Sequence, residues 1–386
     1  MVGDDLDMIL ETIEEIERNA AKKKPFVGYQ GDSDEELIRR MPVVKIMGVG
    51  GAGNNTVTNL MEAGIKFVET IAVNTDAQQL LRSRAHKKVL IGDKTCGGFG
   101  AGTDPSVGEA AALESKEKIE GIIRGTDLLF VTCGLGGGTG SGATPVITEI
   151  ARDMGIVTVA VCTLPFSAEG FKKMEIAAGA IKKIIETANT TIIIPNDKLL
   201  EIAPKATLLD AFRLVDNVLV KAFIGISEMV NEIGVVNLEF SDVRRVLSGG
   251  GTAVIGIGEA NTADGDRAEK AVANALSDPL LDFRLETAKK ALINIVGGKD
   301  ITLEETAKII DAVTRIMNIE QEWVKWGIMI DDNMNGTVRA TVILAGIELP
   351  YVDSEGNLIY PVIRKSMHRE HNIKRIIEEF GIEVFE

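Results

Sequence analysis

The chain has 386 residues, of which 45% are hydrophobic and 26% charged, and its formal net charge is −15. That length allows two domains with sizeable cores, and the composition is ordinary for a globular protein. The acidic balance argues against a general nucleic-acid-binding surface, and no apolar run approaches the roughly 20 residues that span a bilayer. Cys96, Cys133 and Cys162 have no metal-ligand spacing, and the last two sit in apolar runs as small core residues, which fits a reducing cytosol. The acidic N-terminus is unlike a signal peptide.

Residues 1–41 read as an acidic extension, with seven acids against one base, Arg18, in the first 20 positions. Met8, Ile9, Ile13 and Ile16 recur at helical spacing, so a short amphipathic helix is expected, either solvated or docked on a partner. From Pro42 the pattern alternates. Strands are expected at 43–47, 68–73, 127–133, 156–163 and 191–195, helices at 54–63, 106–124, 143–154 and 174–187, and a long loop over 92–105. Repeated β-α units imply a Rossmann-like parallel sheet of the α/β class, with ligands at the carboxyl ends of its strands. A long helix over 207–232 follows, carrying Leu208, Leu209, Phe212, Val215, Val218, Leu219, Phe223 and Ile226 at spacings of three and four. Beyond 245 strands at 253–258, 291–296, 323–330 and 338–345, with helices at 266–277 and 302–316, read as a smaller α+β domain. The expected divisions are 1–41, 42–205 for nucleotide binding, 206–232 for the central helix, 233–349 for the second domain and 350–386. The last segment holds Arg364, Lys365, Arg369, Lys374 and Arg375, either a solvated helix face or a contact for a partner or anionic lipid. With only His86, His368 and His371 present, no histidine triad is expected.

Three glycine-rich strings carry chemistry. Gly48-Val49-Gly50-Gly51-Ala52-Gly53-Asn54-Asn55 follows the first strand and satisfies the dinucleotide fingerprint, with Asp76 about 20 residues on. Taken alone it admits a nicotinamide or flavin site, a mononucleotide phosphate site or a structural turn. The second string, Gly134 to Gly142, holds six glycines in nine positions between a strand and a helix. A helix N-terminus offers unpaired N–H groups and partial positive charge, and the missing Cβ atoms let an anion approach. The string has no lysine, so it is not a P-loop. Two such turns on one sheet edge suit a di- or triphosphate better than a single pyrophosphate. The third, Cys96 to Pro105, is either a flexible loop or a cover for a terminal phosphate.

The string Gly136-Gly137-Gly138-Thr139-Gly140-Ser141-Gly142 resembles the signature of the tubulin and FtsZ superfamily. With GVGGAGNN at 48–55, NTDAQ at 74–78, GAGTDP at 100–105, PFSAEG at 165–170 and IPNDKL at 194–199, the chain is similar to the FtsZ family of prokaryotic cell-division GTPases. The resemblance runs from about Val43 to Leu349. It implies a tubulin/FtsZ-like fold, bound GTP or GDP with Mg²⁺, head-to-tail protofilaments and hydrolysis at the subunit junction. Carried over by position, Gly50, Gly51, Asn54, Asn55, Gly137, Gly138, Thr139 and Gly140 would hold phosphates. Ala101, Gly102 and Thr103 would approach the γ-phosphate. Glu169, with Lys173 near it, would bind the ribose, Asn196 and Asp216 would read guanine, and Phe212 would stack on the base. Asp216 and Phe212 are four apart on one helix and share a face. Glu239 and Asp242 would be the catalytic acids, reaching the next subunit's γ-phosphate, because a helix about 25 residues long separates them from their own nucleotide. No protein ligands for the metal are assigned.

Two positions depart from the family pattern. Glu239 stands where Asp is usual, which moves a carboxylate by about 1.5 Å, and such misplacement can cost about a hundredfold in rate. Lys173 stands where Arg is common, replacing a bidentate contact by a point charge. A weakly hydrolysing filament or scaffold is therefore the alternative, and an NAD-dependent oxidoreductase resting on the 48–53 glycines the remote one. The absence of a long linker ending in an apolar adaptor-binding peptide, with the N-terminal extension, resembles the archaeal branch of the family. Expected partners are other copies of the chain and membrane-anchor or division proteins. Nucleic acid is not expected as a partner. The expected location is the cytoplasm, at the division site.

Overall fold

The computed structural model describes residues 41–198, 207–231, 234–249, 251–276, 285–317, 323–349 and 352–353. The N-terminal amphipathic helix and the basic C-terminal cluster lie outside these residues. Strands β1 (Val44–Val49), β2 (Glu69–Asn74), β3 (Lys87–Leu90), β4 (Leu128–Gly134), β5 (Val157–Leu164) and β6 (Thr190–Pro195) are joined by helices α1 (Gly50–Glu62), α2 (Ala77–Arg82), α3 (Asp93–Cys96), α4 (Pro105–Glu114), α5 (Lys116–Ile123), α6 (Gly138–Asp153) and α7 (Phe171–Thr187). The long helix α8 (Leu208–Asn231) and the short α9 (Phe240–Leu247) lead to β7 (Gly251–Asn261), α10 (Arg267–Leu276), β8 (Lys290–Gly297), α11 (Leu303–Met317), β9 (Val324–Ile330) and β10 (Thr337–Ala345).

The ten strands among the described residues form one sheet in the order β3-β2-β1-β4-β5-β6-β7-β10-β8-β9. Pairings from β3 to β7 are parallel, and β10 runs antiparallel to both its neighbours. Parallel β6–β7 pairing from Thr190 with Gly251 to Ile192 with Ala253 joins the expected nucleotide-binding part to the later strands in one sheet. Strand residues alternate between two cores, as the two-residue period requires: Ile46 and Phe130 join one, Met47 and Val131 the other. Helix α8 covers the first of these. Its Leu219, Ala222, Phe223, Ile226 and Met229 are buried, and the Phe223 ring meets Phe130 edge-on at 5.6 Å.

Strand and helix types match the sequence reading over most of the described residues, and the differences have local causes. The expected helix over 106–124 is two helices, because Ser115 leaves helical geometry and its Oγ accepts from the Gly92 N–H at 3.0 Å. Strand β3 and helix α2 were not expected. Each is short, and α2 rests on one cap, Asp76, whose Oδ1 accepts from the Gln78 and Gln79 N–H groups at 2.9 and 3.0 Å. Helix α9 was also not foreseen; it begins between Glu239 and Asp242, the two expected catalytic acids.

Candidate functional site

The sheet order reverses between β1 and β4: β2 and β3 lie to one side, β5 and β6 to the other. At such a switch point the two following turns diverge and leave a crevice at the carboxyl ends of the strands. Both glycine strings sit there. Each forms the first turn of a helix, where the sequence reading began those helices later, at Asn54 and Ala143. Low helix propensity hides glycine starts from pattern reading. Gly50 adopts φ +74°, and a Cβ on it would lie 3.0 Å from the Gly140 nitrogen, so the N-termini of α1 and α6 touch.

Packing accounts for several of these glycines. A Cβ on Gly138 would lie 2.6 to 2.9 Å from the carbonyl oxygens of Ala101, Asp104 and Gly102, and one on Gly142 would lie 2.0 Å from the Pro105 oxygen. The close approach of α6 to α4 therefore demands glycine independently of any ligand. At Gly137 and Gly102, by contrast, a Cβ would meet nothing within 4 Å. A prediction follows from competing magnitudes. Helix propensity favours alanine over glycine by about 1 kcal/mol, but overpacking costs about 1–3 kcal/mol or more. Gly142→Ala is expected to lower the denaturant midpoint, or to prevent folding. Gly179→Ala, in α7 with open space around it, is expected to raise stability by about 0.5–1 kcal/mol. Equal shifts in the two variants would contradict the packing argument.

The second string also carries two hydroxyls, those of Thr139 and Ser141. In the structure both have protein partners: Ser141 Oγ accepts from the Gly136 N–H at 2.9 Å, and Thr139 Oγ1 lies 2.7 Å from Thr75 Oγ1. The Gly138 N–H donates to Gly102 O at 2.9 Å, tying α6 to the third glycine loop. By helical geometry the Gly137, Thr139 and Gly140 N–H groups have no partner within α6. The third loop ends in a cap: Asp104 Oδ1 accepts from Ser106 N–H and Oγ at 2.9 and 2.6 Å, bonds that hold its carboxyl below the usual range. Pro105 then opens α4.

These elements enclose a cavity of about 640 Å³, the size of a small-molecule site. Of the predicted residues, Gly51, Asn55, Ala101, Gly102, Gly137, Gly138, Thr139, Gly140, Glu169, Lys173, Asn196 and Asp216 line it. Gly50, Asn54 and Thr103 are not on its wall. Asn54 is buried, and neither atom of its amide has a partner among the described residues. Phe212 falls within α8, but its side chain lies outside the described set. On the wall Glu169 bonds the Phe166 N–H through Oε1 and Lys173 Nζ through Oε2, at 2.9 and 2.8 Å. Asn196 is buried and its Oδ1 has no partner among the described residues. Asp216 reaches the wall from α8, its Oδ1 3.4 Å from Thr56 Oγ1, and burial pushes its carboxyl pKa up.

Asp76, the acid that a dinucleotide reading would give to a ribose, spends Oδ1 on capping α2. Sequence reasoning missed Thr56, Gln79 and Arg213, which also line the cavity. Arg213 was detectable as a charge three residues before Asp216 on one helix, whereas Thr56 and Gln79 had no local signal. Glu239 and Asp242 are elsewhere. Glu239 Oε2 accepts from Ser241 Oγ at 3.1 Å, and Asp242 Oδ1 is 3.4 Å from Lys325 Nζ. Roughly 22 Å of α8, at about 1.5 Å per residue, separates Asp216 from the end of that helix. Among the described residues no three His, Cys, Asp or Glu side chains could hold a metal ion, and no helix is long and apolar enough to cross a membrane.

Comparison with known proteins identifies the family. Residues 43–204 match the family model of the GTPase domain of the Tubulin/FtsZ family, and 251–348 that of the FtsZ family C-terminal domain. The chain is 42% identical to the Cell division protein FtsZ of Methanothermobacter thermautotrophicus, over 98% of this chain and 100% of that one. It is 46% identical to Cell division protein FtsZ 1 of Pyrococcus horikoshii, over 90% and 93%. Among solved structures, an FtsZ dimer from M. jannaschii superposes with a TM-score of 0.77 at 42% identity, covering 84% of this chain and 94% of that one.

Proposed function

Because the chain belongs to the FtsZ family of tubulin-like GTPases, we propose that this cavity binds GTP and that a second copy of the chain completes its hydrolysis. The reading rests on one observation: two glycine-rich helix N-termini touch beside a cavity whose wall carries Asn196 and Asp216. Backbone amides of Gly51, Gly137, Thr139 and Gly140 would take the phosphates, where helix N-termini favour negative charge. Ala101 and Gly102 would close over the terminal phosphate, and Glu169, held by Lys173, would meet the ribose. Asp216 would accept from the guanine N1–H and exocyclic amine, a pair of donors that adenine does not present. The unpartnered Asn196 Oδ1 is a further acceptor for the base. Mg²⁺, when bound, neutralises phosphate charge. The donor set fits an ion carried on phosphate oxygens and water, the usual habit of Mg²⁺ in nucleotide sites.

Catalysis is then mainly electrostatic. Asp242, with Glu239 beside it, would position or deprotonate water at the nucleotide of the neighbouring subunit. Head-to-tail assembly follows from that division of labour, and the dimeric M. jannaschii relative supports it. We place the protein in the cytoplasm at the division site, tethered by membrane-anchor or division proteins. Residues 42–205 form the nucleotide-binding part, and 233–349 bring the acids to the junction. Calorimetry with GTP, ATP and NAD is the direct test. Binding of GTP alone supports the site, and equal binding of ATP would contradict the base assignment.

A pH dependence follows from Asp216. Its pKa is raised in the folded chain, so the protonated form persists to higher pH than in an unfolded one. The burial costs folding stability above the ordinary carboxylate range, and that cost fades as pH falls through the raised value. Guanine needs the ionised acceptor. GTP affinity is therefore expected to fall as pH drops through the raised value, with proton release on binding. Titrations in buffers of different ionisation enthalpy measure it, and a flat affinity through that window would count against Asp216.

A further inference from the structure

We propose that Lys325 is a positioning residue for Asp242, an inference that rests on the reading of Asp242 as the acid acting on the next subunit. Strand β9 is the edge strand of the sheet, and with the preceding Trp323 it holds the segment around Glu239 and Asp242 by three contacts. Val236 bridges Ile328: the Val235 N–H donates to Ile328 O, and the Ile328 N–H to Val236 O, each at 2.9 Å. Gly327 permits that approach, since a Cβ there would stand 3.0 Å from the Val236 oxygen and 3.1 Å from Leu238 Cγ. One turn into α9, Arg245 covers the Trp323 ring at 5.1 Å. On the same strand, Lys325 Nζ lies 3.4 Å from Asp242 Oδ1. Backbone, helix and acid are thus all registered on β9 and the residue just before it.

The lysine does little for stability. With side-chain exposures of 31% and 27%, the pair is partly solvated, and such pairs add little to folding stability. Its leverage is on direction and charge. A carboxylate working on a neighbour's phosphates must be held close to one geometry, because a displacement of about 1 Å can cost about a hundredfold in rate. It must also approach a polyanion within a chain of net charge −15. An ammonium at its side limits its rotamers and offsets that repulsion. Glu239 cannot take over, being one methylene longer and already bonded to Ser241.

The test uses the full chain. Lys325→Met is expected to lower GTP turnover per polymerised subunit, at saturating GTP, by about 10- to 100-fold. GTP affinity and the amount of sedimented polymer should stay unchanged. Lys325→Arg should restore most of the rate, and Lys325→Met combined with Asp242→Ala should be no slower than Asp242→Ala alone. The only two tryptophans, Trp323 and Trp326, flank Lys325, so unchanged emission would confirm that β9 is intact. Wild-type turnover in Lys325→Met, with Asp242→Ala inactive, would overturn the role of Lys325 alone. Full turnover in Asp242→Ala would instead overturn the reading of Asp242. Lost polymer and shifted emission in both Lys325 variants would reduce the residue to a structural one, and so also overturn the inference.

Discussion

Asp242→Ala is expected to cut GTP turnover by about 10²–10⁴-fold, the usual contribution of a positioned acid or base, while GTP binding and assembly persist. At about 1.36 kcal/mol per decade, this corresponds to roughly 3–5 kcal/mol of lost transition-state stabilisation. The expectation comes from distance. Asp242 sits in the first turn of α9 and lines no part of the cavity that holds Asp216. It can act on a nucleotide only if another molecule supplies one. Turnover per subunit in the unaltered chain should therefore rise with protein concentration until assembly is complete. A mixing experiment sharpens the point. Asp242→Ala keeps an intact cavity, and a variant with a disabled cavity keeps an intact Asp242. Together they should hydrolyse GTP faster than the sum of the two alone. Dilute monomers of the unaltered chain turning over at full rate would rule out the shared site.

The second large effect is a change of base. Asp216→Asn is expected to weaken GTP and favour xanthosine triphosphate, with a combined swing of about 1,000-fold. A carboxylate offers only acceptors, which suits the two donors of guanine. An amide offers one acceptor and one donor, which suits the N1–H and the 2-oxo group of xanthine. Hydrogen bonds to a charged group contribute about 1.5–3 kcal/mol each, and about 1.4 kcal/mol is a factor of ten. The half-buried setting of Asp216 strengthens the effect, because a mismatched donor there cannot turn to water. Competition binding with both triphosphates measures the ratio. An unchanged preference would remove Asp216 from base recognition.

Much of this site was legible because its parts are local. A strand, a glycine string and a helix start follow one another at both 48–55 and 134–142, so the two candidate phosphate turns were readable residue by residue. Asp104-Pro105 announced a helix start for the same reason. What could not be read was which glycines face a ligand. Gly138 is glycine because the 101–104 loop lies against it and Gly142 because α4 does, and sequence patterns carry no information about a neighbour that arrives from a distant segment. The same limit explains Thr56, which reaches Asp216 across 160 positions, and Cys133 and Cys162, distant in sequence yet register partners with sulfurs 3.6 Å apart.

Sequence patterns alone established the α/β class, most of the alternation of elements up to the long helix, the family resemblance and twelve of the residues that line the cavity. Each of these depends on periodicity or on motifs within a few residues, where backbone geometry is the deciding physics. Only the tertiary structure decided that the later strands continue the same sheet through β6 and β7. It alone placed Asn54 and Thr103 off the cavity wall, gave the Thr139 and Ser141 hydroxyls protein partners, and set Lys325 beside Asp242. Those outcomes depend on contacts between segments far apart in the chain, fixed by close packing and by pairing of charge and backbone polar groups.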